Sequence, residues 1–317
     1  MGRSLEVRHH PYSVKQEGHE LYEYLLYEKL SGGKVARITL NRPEAHNAQN
    51  RGMLIELDDA FRSAEADDDV RVVILAGAGK SFSAGHDMGS RIAAEEMDPG
   101  PGQHPTMRMD GGTRRGVVEQ RALQEWHYYF QNTCRWRELR KITIAQVHGS
   151  VVSAGLMLMW ACDLIVAAED TIFADVVGTR LGMCGVEYMA HPWEFGPRKA
   201  KEMLLTGDSI DAEECYRLGM VSKIFPNHEL HDKALAFAER IAARPTMAAL
   251  MVKDSVNGAV DQMGFTNSLK QSFALHQLNH AHWSALNDDK YPAAKPGLDI
   301  EDWRTSGKPK PARFDTP

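Results

Sequence analysis

Two stretches of this sequence share a form suited to stabilising a negatively charged oxygen. In the first, the apolar run 70–76 (VRVVILA) leads into Ser81-Phe82-Ser83-Ala84-Gly85-His86-Asp87; in the second, the run 142–147 (ITIAQV) leads into His148-Gly149-Ser150-Val151-Val152-Ser153-Ala154-Gly155 and then a helix. Small residues let a backbone approach a ligand closely, and the first N–H groups of a helix lack an internal partner. Each stretch can therefore offer an amide donor, and two such amides aimed at one oxygen make an oxyanion hole. His86, Asp87 and His148 are also metal-binding types, but they have no ligand spacing, and the cysteines at 134, 162, 184 and 215 form no CxxC pair. No metal centre is expected from them.

Both stretches need scaffolding. Residues 22–29 and 34–40 read as two strands around Ser31-Gly32-Gly33, a hairpin signal. Leu54, Leu57, Phe61 and Ala64 recur at helical steps across 50–66, acidic residues close that helix at 67–69, and the β-branched run 70–76 completes a βαβ unit. From Ser90 to Gly116 Pro and Gly recur every few residues, so the segment is expected to be a mobile surface insertion. Helix resumes through Trp126, Tyr129, Phe130 and Thr133, strands are expected at 142–147, 163–168 and 171–174, and the chain is read as helical from there to about 286. Asp211 with Glu214 opens one of those helices as a capping box and Gly219 suits its end. This divides the chain into an arm (1–20), a core (21–226) with its insertion at about 91–115, a helical region (227–286) and an extended tail (287–317).

Composition narrows the function classes. Of 317 residues 43% are hydrophobic and 25% charged, the proportions of a globular protein. A net charge of -6 supplies no bulk cationic field for nucleic acid or anionic lipid. The longest strongly apolar stretch, 151–161, is too short for the ~20 residues of a membrane-spanning helix. The polar N-terminus lacks the apolar centre of a secretory signal, and with sparse cysteines this points to a reducing, cytoplasmic setting.

Five collinear segments, ITLNRPEAHNA (38–48), DDDVRVVILAGAGKSFSAGHDM (67–88), ITIAQVHGSVVSAG (142–155), CDLIVAAEDTIFA (162–174) and GPRKAKEMLLTGDSIDAEECYRLGMVSKIFP (196–226), resemble the crotonase superfamily, the enoyl-CoA hydratase/isomerase family. The resemblance implies an α/β (α+β) fold, a crotonase/ClpP-like spiral of ββα units with a C-terminal helical trimerisation region, assembled as a homotrimer or dimer of trimers. It implies an acyl-CoA substrate, with no cofactor beyond the CoA moiety. The two oxyanion amides fall on His86 and Ala154, and the CoA moiety follows two loops through Ala45, His46, Ala84, Gly85, Asp87 and Met88.

The departures from the family pattern concern proton transfer. Its hydratases carry one Glu three residues after the second oxyanion residue and another about twenty further on; here Met157 stands at the first place and Val176 or Val177 at the second. None of these side chains can move a proton. Asp175, ending the TIFA strand, and Glu187, in the loop GMCGVEYMAHPW, are the acid–base candidates, weighed against a turn-forming Asp and a Glu that only complements a helix dipole. Cys184, near where one dehalogenase-like branch has its nucleophilic Asp, reads as a small filler. Trp126, Tyr129 and Phe130 line either the core or an acyl pocket, and Arg114, Arg115 and Arg121 form either a solvated face or a contact for CoA phosphates. Isomerisation, hydrolysis, C–C cleavage and an unusual hydration all remain open, as does a catalytically silent acyl-CoA-binding or assembly subunit.

Overall fold

A computed structural model of the chain describes residues 14–16, 19–92 and 122–286. The insertion read at 91–115 lies almost wholly outside these residues, as do the Arg114, Arg115 and Arg121 cluster, most of the arm and the tail.

Strands β1 (Val14–Gln16) and β2 (His19–Leu21) pair as a small hairpin. The main sheet holds β3 (Leu25–Leu30), β4 (Val35–Leu40), β5 (Val72–Gly77), β6 (Ile142–Val147), β8 (Leu164–Ala168) and β11 (Lys223–Phe225), in the order β11-β8-β6-β5-β4-β3. Only the β3–β4 hairpin is antiparallel; every other pairing in this sheet is parallel, and β5 and β6 are buried along almost their whole length, as strands covered on both faces of a parallel sheet are. A second sheet sets β7 (Ser150–Val152) and β10 (Ile210–Asp211) on either side of β9 (Ile172–Ala174).

The alternation of side chains along β5 divides the core. Val72 and Ile74 join Val35, Ile144 and Val166 on one face, where the helix Leu230–Ala242 lays down Leu230, Ala234, Ala238 and Ala242, a stripe of one Leu and three Ala at four-residue steps that allows close approach. Val73 and Leu75 face the larger cluster, which takes in the helix Arg51–Ala66 through Leu54, Leu57 and Phe61. The helix Leu230–Ala242 thus belongs to the core, although the sequence assigned it to a separate helical region. Two further differences are local. Short strands β10 and β11 interrupt the stretch read as helical, and the helix around Trp126 passes through a π-helical turn, Glu125–Gln131, before continuing as the helix Asn132–Arg137.

The last two helices close the molecule. Lys253 of the helix Thr246–Gln262 donates from Nζ to the carbonyls of Leu139 and Lys141 and to Asp163, which fixes that helix to the sheet. The helix Phe265–Leu286 returns across the body and buries Phe265, Leu269, Phe273, His276, His280 and Ser284 along one face. No helix among the described residues is long and apolar enough to cross a membrane.

Candidate active site

The two stretches read from sequence lie side by side. Ser83 forms a parallel bridge with Val151, accepting from the Val152 amide and donating to the Ser150 carbonyl. Gly85, at φ +92°, runs so close to the second stretch that a Cβ there would stand 2.9 Å from the Val152 carbonyl and 3.2 Å from the Ala154 nitrogen. Gly155 is constrained from the other side, since its Cβ would lie 2.6 Å from the Ser83 carbonyl oxygen. Glycine at both places is what permits the approach.

The amide directions follow from the pairing. Gln49 bridges His86 in parallel register, donating to the Gly85 carbonyl and accepting from the Asp87 amide. Such a bridge turns the N–H of His86 itself away from Gln49, toward the side of the second stretch. Ala154 opens the helix Ala154–Trp160, so its N–H has no intrahelical acceptor. The residue before it, Ser153, is held at φ +48°, ψ -114°, a strained conformation for a residue with a side chain.

That strain is held in place by Asp175. Ser153 donates from its amide to the Ala174 carbonyl (2.8 Å) and from Oγ to Asp175 Oδ1 (3.2 Å). Asp175 Oδ1 also accepts from the Val177 amide at 2.9 Å and Oδ2 from the Val186 amide at 3.2 Å, while His191 Nε2 lies 3.1 Å from Oδ2. Burial raises the pKa of this carboxyl, but the contact with His191, the Val177 amide and the Ser153 hydroxyl outweigh it and leave it below its usual value. Both Asp175 oxygens thus engage a clamp between the turn before Ala154 and the loop before Glu187.

Glu187 is differently placed. It is 5% exposed, with Oε1 3.6 Å from His86 Nδ1 and 3.8 Å from His276 Nε2, and Oε2 meets no donor among the described residues. Burial, opposed by His276 and reinforced by Glu125, pushes its pKa up to about 8. The His86 ring stacks on Tyr129 with centroids 3.6 Å apart. Met157 and Val176 are buried apolar residues, Val177 is partly buried, and none supplies a proton-transferring group.

The remaining sequence candidates divide into two sets. Arg42 and Asp87 form a buried ion pair at 2.9 Å, and Arg42 Nη1 also donates to the Ala48 carbonyl and Asn50 Oδ1. Burial raises the Asp87 pKa, but bonds from Ser90 and Arg42 outweigh it and hold it low. The Ala84 amide donates to the His46 carbonyl, so the loops carrying Ala45–His46 and Ala84–Met88 form one backbone surface. His148 instead bonds the Gly79 carbonyl, and Cys184, only partly buried, sits against His276 rather than filling the core. Phe130 is core, Tyr129 faces His86, and Trp126 is 39% exposed.

Sequence reasoning missed Glu125, His276 and His280. His280 Nε2 lies 2.9 Å from His276 Nε2 and 3.1 Å from Glu125 Oε1, while His276 Nε2 is 3.5 Å from Glu125 Oε2. Burial raises Glu125, but its bonds from the two histidines outweigh this and hold it far below the usual carboxylate range. His276 moves up despite burial, through Cys184, Glu125 and Glu187. The four-residue spacing of the histidines was the available signal.

Comparison with known proteins agrees with this geometry. The family model for enoyl-CoA hydratase/isomerase matches residues 31–105 and 110–286. The chain is 62% identical over 291 residues to a putative enoyl-CoA hydratase, EchA13, of Mycobacterium tuberculosis, covering 92% of this chain and 91% of that protein. It is 29% identical to the 1,2-epoxyphenylacetyl-CoA isomerase of Escherichia coli over 75% of this chain and 84% of that one. The crystal structure of a probable enoyl-CoA hydratase from Mycobacterium smegmatis superposes with a TM-score of 0.73 at 39% identity, covering 85% of this chain and 99% of that one.

Proposed function

The chain belongs to the enoyl-CoA hydratase/isomerase family, the crotonase superfamily, and on that premise we propose that it forms and quenches an acyl-CoA thioester enolate with Glu187 as its proton-transferring group. The amides of His86 and Ala154 hold the thioester oxygen as it gains negative charge. The loops around Ala45–His46 and Ala84–Met88 carry the CoA moiety by main-chain contact. Glu187 takes a proton from the acyl chain and returns it, which fits isomerisation or an unusual hydration by one carboxylate in place of the family's pair. The observation that carries the reading is the buried Glu187, 3.6 Å from the His86 imidazole, with Oε2 meeting no donor among the described residues.

The rival reading, a catalytically silent acyl-CoA binder, draws support from Met157 and Val177. Glu187→Gln separates the two. Turnover of an enoyl-CoA panel is expected to fall by ~100-fold or more, because general acid–base catalysis commonly supplies ~100- to 10,000-fold, while affinity for the CoA esters stays nearly unchanged. Equal turnover in the variant removes Glu187 from the mechanism; no turnover by the unsubstituted enzyme on any ester it binds favours the silent binder. Assembly as a homotrimer or dimer of trimers belongs to the same reading, supported by the exposed Met251, Val252, Val256, Leu275 and Leu278 on the last two helices.

A further inference from the structure

The inward face of the helix Phe265–Leu286 is apolar through Phe265, Leu269 and Phe273, then carries His276 and His280 where the stripe calls for more of the same. These imidazoles are 2% and 5% exposed, and the Glu125 they face is 1% exposed. Burying two imidazoles and a carboxylate together is costly unless all three are engaged by something worth the desolvation. Glu125 comes from the π-helical turn, a rare distortion that recurs at functional sites.

The geometry is that of ligands converging on a point. The two Nε2 atoms stand 2.9 Å apart, His280 Nε2 lies 3.1 Å from Glu125 Oε1 and His276 Nε2 3.5 Å from Oε2 of the same carboxylate, and one donor atom from each of the three residues falls within 4.8 Å of the others, close enough to meet on one ion bound at about 2.0–2.1 Å. A straight N–H···N bond between the histidines would hold their ring centres about 5.2 Å apart; they stand 4.6 Å apart with planes at 71°, so the 2.9 Å contact is bent, which leaves both Nε2 atoms able to turn toward a common ion. Glu187 Oε1 lies 3.8 Å from His276 Nε2, bringing a second buried carboxylate to the same place. Gln277 donates to Glu125 Oε2 at 2.5 Å and fixes the orientation of that carboxylate, as outer partners of metal ligands do.

We propose that Glu125, His276 and His280 bind a divalent first-row transition-metal ion, zinc or a near neighbour, with its open coordination position toward Glu187. Two imidazoles and one carboxylate form a donor set that selects such ions over magnesium or calcium, and three protein ligands leave a position unfilled. The inference goes beyond the acyl-CoA reading and does not depend on it.

The test uses the full chain stripped with a chelator and titrated with Co2+, then with Zn2+ in competition. One Co2+ per chain is expected, with visible d–d absorption that Zn2+ removes. His276→Gln and His280→Gln should each weaken binding more than ~100-fold, beyond the 10- to 100-fold that loss of an outer partner brings, while His228→Gln on the exposed surface leaves it unchanged. Should those variants fail to fold, the unsubstituted Co2+-loaded chain decides by NMR: two strongly shifted, exchangeable imidazole N–H resonances are expected. No saturable one-to-one uptake, fewer than two such resonances, or uptake that persists in the folded double variant overturns the proposal and leaves a hydrogen-bonded ion-pair cluster. The readout is bound metal, so its failure leaves the acyl-CoA reading standing, and a failed Glu187→Gln assay leaves the metal site standing.

Discussion

The imidazole of His86 stacks on Tyr129 and lies 3.6 Å from Glu187 Oε1, while the backbone N–H of the same residue faces the second loop. Two substitutions separate these contributions. His86→Ala removes the ring and is expected to lower kcat/KM less than tenfold on the order of ~1 kcal/mol, whereas His86→Pro also removes the amide and should cost ~3 kcal/mol of transition-state stabilisation. Equal losses would refute the backbone assignment, with circular dichroism establishing that both variants fold. Asp175→Asn addresses the clamp: one acceptor oxygen becomes a donor facing amides that already need an acceptor, and His191 loses its charged partner. A destabilisation of ~3 kcal/mol is expected in denaturant titration, as for other broken buried pairs, with a fall in turnover that His191→Gln reproduces in part.

At the scale of elements, the helix Arg51–Ala66 is tied to the start of β3 by Glu56, whose two carboxylate oxygens accept from the Glu23 and Tyr24 amides at 2.8 Å each. Burial drives its pKa up to about 7 despite those bonds. A carboxyl whose folded pKa is raised binds its proton more tightly when folded, so its contribution is present below the unfolded value of ~4.5 and fades as pH rises through 7. The thermal midpoint should therefore drop less between pH 5 and 8 in Glu56→Gln than in the unsubstituted chain; identical slopes would show that Glu56 does not titrate there. Gly155→Ala tests the contact between the two loops, since a methyl 2.6 Å from the Ser83 carbonyl must push the first stretch away. The expected cost is ~1–3 kcal/mol of stability, with KM for the CoA ester raised as well. These elements differ in how readable they were. Strand β6 was evident as a short, mostly apolar run and the helix Arg51–Ala66 because it carries a complete local period, and the Asp211 cap because its acceptor and the Glu214 amide lie three residues apart. Strand β10 has two residues and exists only because β9 is beside it, so no period could announce it. The π-helical turn has the composition of an ordinary helix, and its consequence is settled by packing.

At the scale of the whole molecule, the main sheet and the two adjoining loops were legible in the sequence, because each is encoded within a short segment. It could not disclose that Glu125 meets His276 and His280, which join it from 151 and more residues away. Nor could it tell Asp175 from Glu187, since both are buried and the number of partners each meets, set by the loop between them, is what distinguishes the two. The exposed apolar side chains of the last two helices give a further expectation. Light scattering should report a trimer or a multiple of it, and the pair Val252→Asp with Val256→Asp should shift the population toward smaller species; a monomer at micromolar concentration without substitution would end that reading. The helix Phe265–Leu286 meanwhile presents His276 inward beside the exposed Leu275, and Gln277 beside the exposed Leu278. Under the proposed assembly a second copy covering those leucines would favour the conformation in which His276 and Gln277 are seated, and by mass action the integrity of the proposed site would then become a function of protein concentration. On serial dilution, specific activity should stay flat until subunits begin to part and then decline, and adding back a variant inactive through Glu187→Gln should restore it by subunit exchange.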